Sequence, residues 1–164
     1  MLKTSRIVNL LFSVIFLSSM GFTQDFSASM AVAGGTSEYG LTFGFNPNAT
    51  DGYDSDYDQY APPAPPPPAF DAALSWGGDR YYTQILAGDG NLSEHVYDIA
   101  LAYAEDNLIT VSWDNTGFSD LMTSCLLQDA FGGAFVNIDM LTGEGFANPA
   151  FASWDGSVLS LFST

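Results

Sequence analysis

The residues with the densest potential for chemistry lie between 51 and 60, in "DGYDSDYDQY". Asp54, Asp56 and Asp58 stand at i, i+2 and i+4, with Asp51 just upstream. An extended chain puts alternate side chains on one side, about 6–7 Å apart. Carboxylate oxygens at that density are the hard ligands that calcium takes. The first, third and fifth positions of an EF-hand loop have the same spacing, but the match ends there. Its glycine position is Gln59 and its closing glutamate position is Pro65, and no flanking helices are expected. Asp51, Asp54, Asp56 and Asp58 are therefore candidate calcium ligands, with a solvated acidic loop as the alternative. Calcium is the only cofactor the sequence suggests.

Tyrosines interleave with these acids. Tyr53, Tyr57 and Tyr60, together with Tyr81, are candidate ligand-binding residues, since exposed rings can stack on sugar faces or on prolines. Tyr81 and Tyr82 are adjacent, so one of them should face outward. Trp76, Trp113 and Trp154 are further aromatic candidates, Trp113 being expected in the core.

Other chemistry has little material. His95 is the sole histidine, and Cys125 the sole cysteine. An imidazole metal site would need more ligands, and no internal disulfide can form. No nucleophile elbow, phosphate loop, dinucleotide glycine pattern or H-E-x-x-H motif occurs. Paired carboxylates across a cleft hydrolyse glycans, but acids are spread along the whole chain, so their presence says little. The reading is non-enzymatic.

Alternating apolar patterns supply the elements that hold these residues. "FSASMAVAG" places Phe26, Ala28, Met30 and Val32 on one face, and "EYGLTFGF" does the same for Tyr39, Leu41, Phe43 and Phe45. "EHVYDIALAY" puts Tyr97, Ile99, Leu101 and Tyr103 on its core side, and "LITVSW" puts Ile109, Val111 and Trp113 there. "FSDLMTSCLLQDA" is long enough for a short helix, but its Thr, Ser and Cys and the flanking turns favour a strand, and "AFVNIDM" reads as another, with Phe135, Ile138 and Met140 apolar and a bulge near Asn137. "SVLSLF" is a last strand. Period two with β-branched and aromatic residues predicts half-buried strands. About eight or nine short strands, with turn signals every 8–12 residues or so, predict an all-β antiparallel sandwich of immunoglobulin or jelly-roll type.

Pro62 to Pro68 should form a polyproline helix of roughly 20 Å at about 3.1 Å per residue. A stiff strap crossing between two sheets is expected, with Phe70 anchoring its exit.

Residues 1–24 combine Lys3 and Arg6, an apolar run from Ile7 to Leu17, and a small-residue exit. This is the pattern of a secretory signal peptide, which leaves 25–164 as one domain with an acidic, proline-rich loop at 51–69. No later run reaches the roughly 20 apolar residues of a membrane span. Cleavage would remove two positive charges from a net charge already at -16, leaving Arg80 as the only strong base. Such a surface repels nucleic acid and anionic lipid and attracts divalent cations. The expected location is extracellular or at the cell surface, and the expected partner is a protein or a glycan.

"LTFGFNPNATDGYD", "DQYAPPAPPPPAFDAAL", "YYTQI", "YDIALAY", "ITVSWDNT" and "LLQDAFGGAFVNIDM" follow one another in that order. Over residues 26 to 151 this resembles a β-sandwich module of large secreted or surface proteins of Bacteroidetes and marine bacteria, chains that often carry a type IX secretion sorting domain or dockerin-like repeats. The resemblance implies a surface-displayed scaffold module rather than an enzyme. It also implies further chain, whereas this sequence stops at Thr164, as a truncated copy would. The combined expectation is a secreted interaction or scaffold module with calcium as its candidate stabiliser. The alternatives are a carbohydrate-binding module and a glycan hydrolase.

Overall fold

The computed structural model describes residues 25–88, 94–104, 108–143, 145–147 and 158–163. The expected signal peptide lies outside them. The described chain forms β1 (Phe26–Gly34), β2 (Ser37–Asn46), β3 (Gln59–Tyr60), β4 (Asp71–Trp76), β5 (Asp79–Ala87), β6 (His95–Ala102), β7 (Ile109–Trp113), α1 (Phe118–Leu121), β8 (Cys125–Asp129), β9 (Asn137–Asp139), β10 (Phe146–Ala147) and β11 (Val158–Ser163). The strands join by hydrogen bonds in the order β10-β7-β1-β2-β5-β4-β6-β11-β8-β9, with β3 added on β5.

The alternating patterns fold as expected. Phe26, Met30 and Val32 are buried in β1, and Leu41, Phe43 and Phe45 in β2. Tyr97, Ile99 and Leu101 turn inward from β6, as do Ile109, Val111 and Trp113 from β7. These residues belong to one continuous core. The sheet curls around it. β2 and β6 are not hydrogen-bonded neighbours in the strand order. The rings of Phe43 and Tyr97 nevertheless lie 5.5 Å apart, and the Tyr97 hydroxyl donates to the Gly44 carbonyl at 2.5 Å.

Purely antiparallel pairing was expected, but the sheet is mixed: β2 runs parallel to β5. The register explains how. Thr83 pairs with Thr42 of β2 and with Gln59 of β3, and Tyr81 pairs with Leu74 of β4 and with Tyr60 of β3. One residue can pair with two strands only across opposite edges. So β3 occupies one edge of β5, and β4 and β2 share the other, end to end. The sheet forks at β5. The long connection from β2 through β3 and β4 returns the chain to β5 in the parallel sense, which a tight hairpin cannot do.

The proline strap therefore joins two strands that flank β5 in one hydrogen-bonded sheet. It does not cross between two separate sheets. Pro62, Pro63, Pro66, Pro67 and Pro68 are exposed and Pro65 is half-buried. Lacking N–H groups, these prolines need no ladder partner. Phe70 is buried at the exit, as predicted.

Three further expectations change. The strands number eleven among the described residues, because the two-residue β3 and β10 carry little sequence pattern. "FSDLMTSCLLQDA" divides into the single turn α1 and the strand β8. Gly117, at φ 83°, starts that turn, and it delivers Phe118 edge-on to Phe26 at 5.4 Å and to Phe43 at 6.4 Å. Core filling overrides the local β preference there. Phe135 is 72% exposed rather than inward, because it belongs to the turn ahead of β9. Met140 is fully buried as expected.

Candidate ligand surface at the 51–69 loop and β5

The acidic loop closes the edge of β5 that β3 leaves open. Beyond Thr83, the N–H groups on that edge belong to Ile85 and Ala87. Asp58 Oδ1 accepts from the Ile85 N–H at 2.8 Å, and Asp51 Oδ1 from the Ala87 N–H at 3.2 Å. Two side-chain carboxylates thus stand where strand carbonyls would. Asp58 Oδ2 also accepts the Asp54 N–H at 2.8 Å, and Asp54 Oδ2 accepts the Thr50 N–H and hydroxyl. Asp58 is buried and Asp56 exposed. Three of the four proposed calcium ligands accept main-chain N–H bonds: Asp51 and Asp58 from β5, which holds the loop to the sheet, and Asp54 from Thr50 within the loop. Among the described residues no group of three His, Cys, Asp or Glu side chains is placed to hold a metal ion.

The same loop assembles a stack of tyrosines. The Tyr53 and Tyr60 rings lie 4.2 Å apart and nearly parallel, and Tyr60 stacks on Tyr81 at 5.1 Å. Tyr53 and Tyr60 are 44% and 46% exposed, while Tyr81 is buried beneath them. Burial, then the neighbouring Tyr60 and the Asp79 and Asp58 charges, pushes the Tyr81 hydroxyl up to about 12. The register shifts between Gln59 and Tyr60, and both side chains are exposed on this short edge strand. Of the four tyrosines named from the sequence, the fold unites Tyr53, Tyr60 and Tyr81. Tyr57 is half-buried and takes no part in the stack. The rings pack on one another, and the exposed prolines continue from Tyr60. Of the adjacent Tyr81 and Tyr82, one of which was expected to face outward, Tyr81 is buried and Tyr82 is half-buried against Tyr39 at 6.2 Å.

Next to the stack lies a recess of about 360 Å³, lined by Glu38, Tyr39, Gly40, Thr42, Gln59, Tyr82 and Thr83. It opens where β2 and β5 part at the fork. Thr42, Thr83 and Gln59 are direct cross-strand neighbours, and Ser29 extends their row through its hydroxyl bond to Thr42 at 2.9 Å. The Tyr39 hydroxyl donates to the Phe70 carbonyl at 3.2 Å. Burial and the nearby Asp71 charge raise its ionisation above the ordinary range. Sequence reasoning missed this recess, because its residues come from three strands brought side by side by the fork. Alternation in "EYGLTF" could place Glu38, Gly40 and Thr42 on one outward face, but not opposite Gln59.

Other charged and reactive groups are tied into the framework. Arg80 is paired with Asp71 at 2.5 Å. His95 stacks on Phe45 at 4.9 Å, and its Nε2 lies 2.9 Å from the Ala87 carbonyl, a structural placement. Cys125 is fully buried beside Met140, 3.9 Å between sulfurs, and burial pushes its thiol up to about 12. At the far end, Asp129 accepts the N–H groups of Phe131, Phe135 and Val136, and the exposed Phe131 and Phe135 meet edge to face at 5.8 Å.

No described helix is long and apolar enough to cross a membrane. No protein-family model, curated protein or solved structure matches the chain.

Proposed function

We propose that this chain is a secreted, non-enzymatic interaction module that engages its partner outside the cell through the surface formed by the 51–69 loop. The observation that carries this reading is the Tyr53–Tyr60 pair. Two half-exposed rings are held parallel on a buried third ring, on a loop pinned to the sheet by carboxylates. Rigid aromatic side chains of this kind supply contact area at low entropic cost, and they dominate binding surfaces. The signal-like residues 1–24, the acidic composition and the resemblance to bacterial surface modules support the extracellular placement. The fork at β5 supports a two-layer arrangement of the sandwich type, with β2 and β6 facing each other across the core. The test is retention of the purified protein on intact cells and on a panel of insoluble polysaccharides, compared with a Tyr53→Ala/Tyr60→Ala double variant. Loss of retention in a variant that melts like the parent supports the surface. Equal retention overturns it.

Carbohydrate binding is the second reading, favoured by the recess that pairs two tyrosines with hydroxyl and amide groups. Hydrolysis gains no comparable support. The recess presents one carboxylate, Glu38, where glycan hydrolysis by the usual route uses two.

A further inference from the structure

We propose that the recess between β2, β5 and β3 binds a neutral, hydroxyl-rich glycan chain. This inference rests on the carbohydrate-binding reading and names its site and ligand class. Its volume of about 360 Å³ falls within the range of small-molecule sites, about 300–1,000 Å³.

The lining selects the chemistry. Thr42, Thr83 and Gln59 stand in one row across three strands, at a spacing of roughly 4.8 Å set by the sheet. Hydroxyls and an amide both donate and accept, so this row suits a ligand whose own groups do the same. Tyr39 and Tyr82, 6.2 Å apart, line the recess beside this row and add apolar surface to it. Gly40 contributes no side chain, and a Cβ placed there would meet nothing within 4 Å.

Charge excludes the alternatives on one side. Arg80 is the only arginine or lysine after residue 24, and it is already paired with Asp71. No free guanidinium or ammonium is left to hold a sulfate, phosphate or uronate in the recess, and a net charge of -16 repels such ligands. A cationic peptide would suit the overall charge, but the recess offers it only Glu38 among mostly uncharged groups. A neutral glycan is the ligand that the lining matches.

The test is calorimetric titration of the mature protein with hexasaccharides of β-1,3-glucan, β-1,4-glucan and β-1,4-mannan, beside hexagalacturonate and hexalysine. Binding of at least one neutral hexasaccharide, and none of hexagalacturonate, is expected. Gly40→Phe fills the recess from an open, exposed strand position, so it should fold normally and weaken that binding at least tenfold. Thr83→Val and Gln59→Ala each remove neutral hydrogen bonds and should weaken it by about 2–10-fold. Neutral glycan binding that Gly40→Phe leaves unchanged overturns the recess as the site while sparing the carbohydrate reading. Binding of hexalysine alone overturns the ligand class. No binding by any of the three neutral probes overturns both the inference and the carbohydrate reading.

Discussion

Replacing Asp58 with alanine should destabilise the protein more than any other single change in the acidic loop. Its carboxylate accepts the Ile85 and Asp54 N–H groups, both at 2.8 Å, and the residue is 9% exposed. Ile85 is itself buried, so its N–H would lose its acceptor with little access to water. A buried donor left unpaired costs about 1–3 kcal/mol, and bonds to a charged acceptor contribute about 1.5–3 kcal/mol. The Asp54 N–H is nearer the surface and regains water, so its share is smaller. A loss of about 2–4 kcal/mol follows, which for a domain of this size lowers Tm by about 5–15 °C. Asp58→Asn keeps one carbonyl acceptor and should recover roughly half of the loss. Asp56→Ala, at an exposed position, should stay within about 0.5 kcal/mol of the parent. Thermal unfolding followed by circular dichroism separates the three. An Asp58→Ala protein that melts with Asp56→Ala would refute the claim that carboxylates complete the β5 edge.

Three other outcomes are expected. If the loop is held by its own hydrogen bonds, melting in EDTA and in millimolar calcium at equal ionic strength should coincide; a rise of several degrees specific to calcium would instead give the aspartates a metal. Gly44→Ala should destabilise by about 1–3 kcal/mol or more, because a Cβ there would lie 2.0 Å from the Phe26 carbonyl oxygen; a parent-like melting curve would sink the β1–β2 register. Burial pushes the Asp129 carboxyl up, but the N–H groups of Val136, Phe135, Phe131 and Gly133 outweigh it and hold it below the ordinary range. Its folded value is thus depressed, so its contribution is present above the unfolded value near 3.9 and fades as pH falls through the folded value. Asp114 and Asp139 shift the same way, through bonds from Thr116 and from Thr142 and Leu141. Tm against pH should be level down to about pH 5 and fall below about pH 4; a curve that stays level to pH 3 would contradict these bonds.

Alternation alone determined the inward faces of β1, β2, β6 and β7, because a side-chain period of two leaves each strand one choice of which face to bury. It also placed Trp113 inside. Tertiary structure decided the rest. The parallel β2–β5 pair and the fork depend on where a long connection returns, and strand patterns do not encode pairing partners. Phe118 reached the core through a single helical turn that its local sequence disfavours. The sequence shows the spacing of the 51–58 carboxylates but not the N–H groups of Ile85 and Ala87 that Asp58 and Asp51 meet. Tyr53, Tyr60 and Tyr81 were named together by residue type, but only the fold of the loop against β5 stacked them. The recess was invisible for the same reason: its walls come from three strands, and adjacency between strands is a property of the folded sheet.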